Sequence, residues 1–253
     1  MDKTKNNMML KPLEMYALVA SGKLRKFPNN YLDKSSIKEM LRYVILESYH
    51  YTREEVLVKV NKSFLQANYL GGAYKFFNKS NIEMLIACFP EWNLKPWEFR
   101  EVKNGFWNDV KNQREFLFWV AEKEGIDLTT KSGLRSMTAR IIQMHGGSKA
   151  IIHAGGTFEL LDIVACGKYK KWEIAKMSSW SKAEIIEATK WLVEERLNYT
   201  PRQVCNLKVT DFIENNLDGM LQKACNHSII AALEMAYPGM YYKDATNGIC
   251  LIE

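Results

Sequence analysis

A chain of 253 residues, 47% hydrophobic and 25% charged, has the make-up of a folded, soluble protein. No apolar stretch reaches the length of a bilayer span, and the start, MDKTKNNMMLKPLEMYALVASGK, carries an acid at Asp2 and only a broken apolar run. Neither a membrane helix nor a secretory leader is expected, which points to the cytoplasm, and the net charge of +6 favours polyanions mildly without deciding a partner.

Residues 1–26 form an N-terminal segment that closes on a basic connector, SGKLRKF (21–27). Ile37, Met40, Leu41, Val44 and Ile45 then recur at the spacing of one helix face. A second helix starts at Thr52, which forms a capping box with Glu55. A short third helix, Ser63 to Tyr69, ends at the turn Gly71-Gly72, and a fourth begins after Ser80 and stops at Pro90. The same order returns further on. FNKSNIEMLIACFP (77–90) lies over CNHSIIAALEMAYP (225–238), and HAGGTFELLDIVAC (153–166) lies midway, with Gly156 at the place of Ser80 and Ser228 and Leu161 at that of Leu85 and Leu233. Gly71-Gly72 aligns with Gly146-Gly147 and with Asp218-Gly219. An aromatic opens each unit at Tyr31, Trp107 and Trp180, and a second follows at Tyr43, Trp119 and Trp191; these read mainly as core. In the last unit Thr200-Pro201 with Gln203 starts the second helix, and the third runs from Thr210 to Leu217. The connector CGKYKKW (166–172) is similar to SGKLRKF.

No strand signal interrupts this pattern. The expected fold is all-α: three tandem helical repeats of about 70–75 residues, at 27–96, 101–172 (a degenerate copy) and 175–242, with a tail at 243–253. Each repeat has four helices and a helix-turn-helix-like core. The glycines of HGGSKAIIHAGG do not follow a β-branched run, as a dinucleotide loop would, so they read as turns, with positive φ expected at Gly72 and Gly147.

Cys88, Cys166, Cys205, Cys225 and Cys250 are odd in number and never paired as C-x-x-C, which fits a reducing compartment and argues against a disulfide framework. Cys205, Cys225 and His227 come nearest to a metal cluster but lack a fourth ligand at zinc spacing. His50, His145, His153 and His227 fall at helix ends or turns. Acidic pairs such as Glu54-Glu55 lie on polar helix faces, and no hydrolase, zincin or P-loop motif occurs. No enzyme, cofactor, metal or small-molecule substrate is expected.

GKLRKFPNNYL, LGGAYKFFNKS and ACFPEWNLKPWEF resemble repeat motifs of a helical-repeat protein family of Bacillus-type bacteria and their temperate phages, for which no chemistry is established. The resemblance implies a helical fold and a phage or mobile-element setting, and no catalytic residues. The middle unit departs from the pattern, with Ala165-Cys166-Gly167 in place of the aromatic-Pro.

Two functions follow from the residues. In a helix-turn-helix the start of the later helix faces base edges. Lys62, Ser63 and Gln66 hold that place in the first unit, Arg140 and Gln143 in the second, and Lys208 and Asn215 in the third. Lys23, Arg25 and Lys26, and Lys168, Lys170 and Lys171, would add backbone contacts, each cluster ending beside an aromatic, Phe27 or Trp172. The leading expectation is a non-enzymatic nucleic-acid-binding regulator of transcription, with DNA favoured over RNA. The alternative is an adaptor or inhibitor that grips a host protein through the repeat surface. Asp211 and Glu214 count against the first, since they would repel phosphate.

Overall fold

The computed structural model describes residues 10–246 and 248–252; Asp2, with the rest of the first nine residues of the N-terminal segment, lies outside them. The described chain is all-α apart from one two-stranded sheet. It divides into two compact units, Met1–Phe106 and Trp107–Glu253, so the expected third repeat and all but the first six residues of the expected second fall in one of them.

The first unit runs through α1 (Pro12–Ala20), α2 (Lys34–Arg42), a π-helical continuation (Tyr43–Ser48), α3 (Arg53–Lys59), α4 (Lys62–Ala67), a 3-10 turn (Ala73–Phe76) and α5 (Asn81–Cys88). Helix α2 is amphipathic, and its stripe of Ile37, Met40 and Leu41, carried on by Val44 and Ile45 of the π-helical continuation, is fully buried. Asp33 caps it by accepting the Ser36 N–H at 2.7 Å, and that bond holds the Asp33 carboxyl below its ordinary range. The stripe packs against α1 and α5, and Val56, Leu65, Leu85 and Phe89 complete the core.

The second unit contains α6 (Val110–Glu124), α7 (Lys131–Ser136), α8 (Ala139–Met144), α9 (Ser148–Ala154), α10 (Thr157–Ala165) and α11 (Lys171–Ile174). It continues with α12 (Lys182–Lys190), a π-helical stretch (Trp191–Arg196), a 3-10 turn (Gln203–Asn206), α13 (Val209–Glu214), α14 (Asp218–Ala224) and α15 (Ile229–Ala236). Here α6 packs on α10 and α12 on α15, as α2 packs on α5 in the first unit.

The order of segments is met three times. A long helix (α2, α6, α12) is followed by three short segments and then by a last helix (α5, α10, α15) that returns to the long one. Each stretch therefore has five helical segments where four are expected. The extra one is Ala73–Phe76, α9 or α14. It escapes a sequence reading because a glycine reads as a terminator, whereas the chain turns once and starts a new helix at once. The π-helical stretches have a local cause. Tyr51 and Tyr199 donate to carbonyls six residues back, at Ile45 and Val193, while Ile126 donates to Ala121, five back. One extra residue is thus taken up inside the first and third long helices.

Two expectations need correction. Gly72 and Gly147 have ordinary negative φ, −98° and −84°. The left-handed residue of that turn is Gly146 at 85°, and its counterparts are Tyr69 at 60° and Asn216 at 62°. The backbone bonds fix this register: Leu70, Gly147 and Leu217 donate to Leu65, Ile142 and Phe212, each five residues back. Aligning the glycine pairs by sequence therefore sets the turns about two residues out of step. Second, the chain does form strands. β1 (Tyr241–Lys243) pairs antiparallel with β2 (Ile249–Leu251), across a turn in which Asp244 accepts the Thr246 and Gly248 N–H groups. Three-residue strands are too short to show alternation in sequence.

Thr189 is fully buried and its hydroxyl has no hydrogen-bond partner among the described residues, whereas Leu41 and Leu117 stand at the same position of α2 and α6. An unpaired buried hydroxyl costs about 1–3 kcal/mol. Thr189→Val should raise the melting temperature in differential scanning calorimetry; a lower one would show that the hydroxyl is satisfied.

Candidate binding grooves

The residues singled out in sequence are divided between the two units, Lys23 to Gln66 in the first and Arg140 to Lys208 in the second. Lys23, Arg25 and Lys26 are exposed in the turns after α1, and none makes an ion pair among the described residues. The other connector differs. Lys168 is exposed beside the Tyr169 ring, but Lys170 Nζ lies 3.1 Å from Glu187 and Lys171 Nζ 3.3 Å from Glu184. The Glu184 carboxyl is held below its ordinary range, first by the Ser181 backbone N–H that it accepts and then by Lys171. The two connectors are therefore not equivalent: one is free, and two lysines of the other are occupied by α12.

The helix-turn-helix proportions are also shorter than expected. Helices α3 and α4 have seven and six residues and are joined through Val60 and Asn61 alone, where such motifs use three or four residues. In the third stretch the earlier helix is a four-residue 3-10 turn. Lys62, Ser63 and Gln66 are exposed on the first turns of α4, Arg140 and Gln143 on α8, and Lys208 stands just before α13. Asn215 cannot read a base. It is buried, donates to the Asp211 carbonyl and accepts from Arg196 Nε at 3.0 Å. The Asp211 carboxylate turns back to cap the Lys208 N–H at 2.7 Å.

A recurring groove is what the sequence does not announce. Each lies between the turn joining the first and second short segments and the start of the last helix. The first, about 360 Å³, runs from Val60 and Asn61 to Asn81 and Leu85, with Arg100 and Glu101 on its rim. The second, about 370 Å³, runs from Met137 and Thr138 to Thr157 and Leu161. The third, about 570 Å³, runs from Leu207 and Lys208 to Ser228 and Ile229. The same geometry makes them. Asn61 and Thr138 cap the helix that follows, accepting the N–H of Phe64 and Ile141. Ser80 and Ser228 cap the last helix in the same way. In the middle stretch Gly156, with φ 153°, stands at the place of that serine.

The first two stretches share an ion-pair clamp that no single motif announces. Arg53 makes two bonds to Glu98 and one to the Trp92 carbonyl, while Lys131 pairs with Glu173 at 2.7 Å and Arg135 donates to the Trp172 carbonyl. Glu98 and Glu173 also accept the backbone N–H of Lys95 and Lys170. The match of LKPWEF with YKKWEI is the signal that finds it.

Cys205 is half-buried and Cys225 buried, and burial pushes the Cys225 thiol up. Among the described residues no group of three or more His, Cys, Asp or Glu side chains is placed to hold a metal ion. His145 pairs with Glu124 at 2.7 Å, and His50 Nδ1 lies 3.0 Å from the Leu46 carbonyl. Among the described residues no helix is long and apolar enough to cross a membrane.

Residues 13–94, inside the first unit, match a family described as "Protein of unknown function (DUF4046)". No curated protein and no solved structure matches the chain.

Proposed function

We propose that the protein is a three-unit helical array that binds nucleic acid, duplex DNA foremost, through its first unit and without catalysis. The array reading is supported by the threefold order of segments and by the recurring grooves. The binding reading is carried by one observation, the partition of charge. Residues 1–106 hold 17 Lys and Arg against 11 Asp and Glu, a net +6, while residues 107–253 hold 18 of each and are neutral. The whole excess thus lies in the unit that carries the unpaired Lys23, Arg25 and Lys26 and the exposed Lys62, Ser63 and Gln66. Such an excess draws phosphates and releases their counterions.

The test compares two triple variants in gel shifts on random duplex at several salt concentrations. Substituting Lys23, Arg25 and Lys26 with alanine should weaken binding and reduce the slope of log affinity against log salt by about 0.9 for each duplex phosphate no longer neutralised. The same change at Lys168, Lys170 and Lys171 should leave that slope close to wild type, because two of these lysines already face carboxylates. Equal effects, or no shift of wild type at low salt, would remove the reading. Substituting Gln66 should instead alter sequence preference, by about 1–3 kcal/mol for a bidentate hydrogen-bond pair to a base edge.

A protein-binding role draws on a different observation. Val209 and Ile213 of α13 are 48% and 54% exposed and line a second depression together with Leu221. Capture of one partner from nuclease-treated lysate at high salt, abolished by Ile213→Asp, would favour it.

A further inference from the structure

The middle groove differs in chemistry from its neighbours. Arg135, Arg140, Lys176 and Lys223 all line it, and no carboxylate does. They arrive from α7, α8, the chain after α11 and α14, so the cluster is made by folding and not by a run of basic sequence. Arg135 is anchored by donating to the Trp172 and Glu173 carbonyls. Arg140, Lys176 and Lys223 are exposed and make no ion pair among the described residues. Elsewhere in this neutral unit Lys131, Lys170 and Lys171 each find a carboxylate. The groove's position alone does not require the cations. The first groove has one cation, Arg100, with Glu101 next to it in the chain, and the third, which also has no carboxylate, has two, Lys208 and Lys243, against four in the middle one. Four like charges around one cavity repel one another, and an anion relieves that repulsion.

The lining narrows the choice of anion. Met137, Leu161 and Ile174, all buried, and Met177 give the groove an apolar lining beside the cations, and Thr157 and Ser178 line it as well. A volume of about 370 Å³ lies within the range of small-molecule sites, far larger than a bare phosphate needs. Arginines offer paired donors to phosphate oxygens, and methionines adapt to a flat organic body. We infer that this groove binds a phosphate ester of nucleoside size, its phosphate held by Arg140, Lys176 and Lys223 and its organic part on the Met137–Leu161 lining. The site stands apart from the duplex binding proposed for the first unit, and it revises the expectation that no small molecule is bound.

Titration calorimetry on the full chain tests it with adenosine 5′-monophosphate, inorganic phosphate and adenosine as probes. The nucleotide should bind at least tenfold tighter than inorganic phosphate, and adenosine weakly or not at all. Arg140→Ala with Lys223→Ala should cut nucleotide affinity at least tenfold, while Lys168→Ala, outside the groove, should not. Circular dichroism and melting of the double variant show that it is folded. Phosphate and nucleotide binding equally, the double variant binding as wild type does, or no heat with nucleotide at millimolar concentration would each overturn the proposal. Two oligonucleotides, alike except for a 5′-phosphate, distinguish the source. A preference for the phosphorylated one that disappears in the double variant assigns a strand end; none assigns the free nucleotide. Failure of duplex binding in the Lys23, Arg25 and Lys26 variant leaves these results unaffected, so the two readings fail separately.

Discussion

Gly147→Ala should destabilise the protein by about 1–3 kcal/mol, the usual cost of forcing extra volume into a packed site. A Cβ at this residue would stand 2.5 Å from Phe116 Cε1 and 2.6 Å from Ile142 Cγ2. Both neighbours are fully buried and have no room to withdraw. Backbone strain is not the reason, since φ is −84°, and the entropy gained by replacing glycine, about 0.4–1 kcal/mol, runs the other way. The steric term wins because it acts on a ring and a branched side chain together. The other two stretches solve the same packing problem differently. Leu70 and Leu217 stand where Gly147 does, and Met40 and Ala188 stand where Phe116 does, all buried. In the middle stretch the bulk sits on the long helix and not at the turn. Gly147→Ala combined with Phe116→Leu should therefore recover part of the stability in urea unfolding. Gly72→Ala, with φ −98° and nothing within 4 Å, should be neutral or slightly stabilising. A Gly147→Ala protein as stable as wild type would show that the turn shifts freely.

Arg53→Ala should cost about 1.5–3 kcal/mol, the range for hydrogen bonds to charged groups. An exposed ion pair contributes about 0–1 kcal/mol, and this one is not exposed. The Arg53 and Glu98 side chains are 29% and 13% accessible, the two bonds between them are 2.8 and 2.7 Å, and Arg53 Nε reaches the Trp92 carbonyl at 3.0 Å. Removing the arginine leaves a largely buried carboxylate with the Lys95 N–H at 2.8 Å as its remaining partner. Arg53→Lys should fall between the two. Lys131 makes the corresponding pair in the middle stretch, but there a second residue, Arg135, serves the carbonyl. Lysine alone keeps the charge and forgoes that second bond. Chemical unfolding of the three proteins decides it: a lysine variant no better than alanine would mean that the carbonyl bond matters more than the charge.

What could be read from the sequence is what is settled within one helical turn. The buried stripe from Ile37 to Ile45, the Thr52–Glu55 box and the caps at Ser80 and Ser228 depend on residues three or four apart, and the structure has all of them. Gly156 in place of a capping serine belongs to the same class. Register at the turns was beyond reach, because Tyr69, Gly146 and Asn216, three unrelated residue types, all take the left-handed φ. The fate of the charges was equally out of reach. Lys170 and Lys171 meet acids 17 and 13 residues away, and Arg53 meets Glu98 across 45. A lysine's partner is chosen by whichever carboxylate packing brings near it, and no local spacing encodes that choice. The middle groove is the extreme case. Arg135, Arg140, Lys176 and Lys223 look like ordinary surface charges until helix packing sets them around one cavity, because Coulomb interaction depends on distance in space and not on separation along the chain.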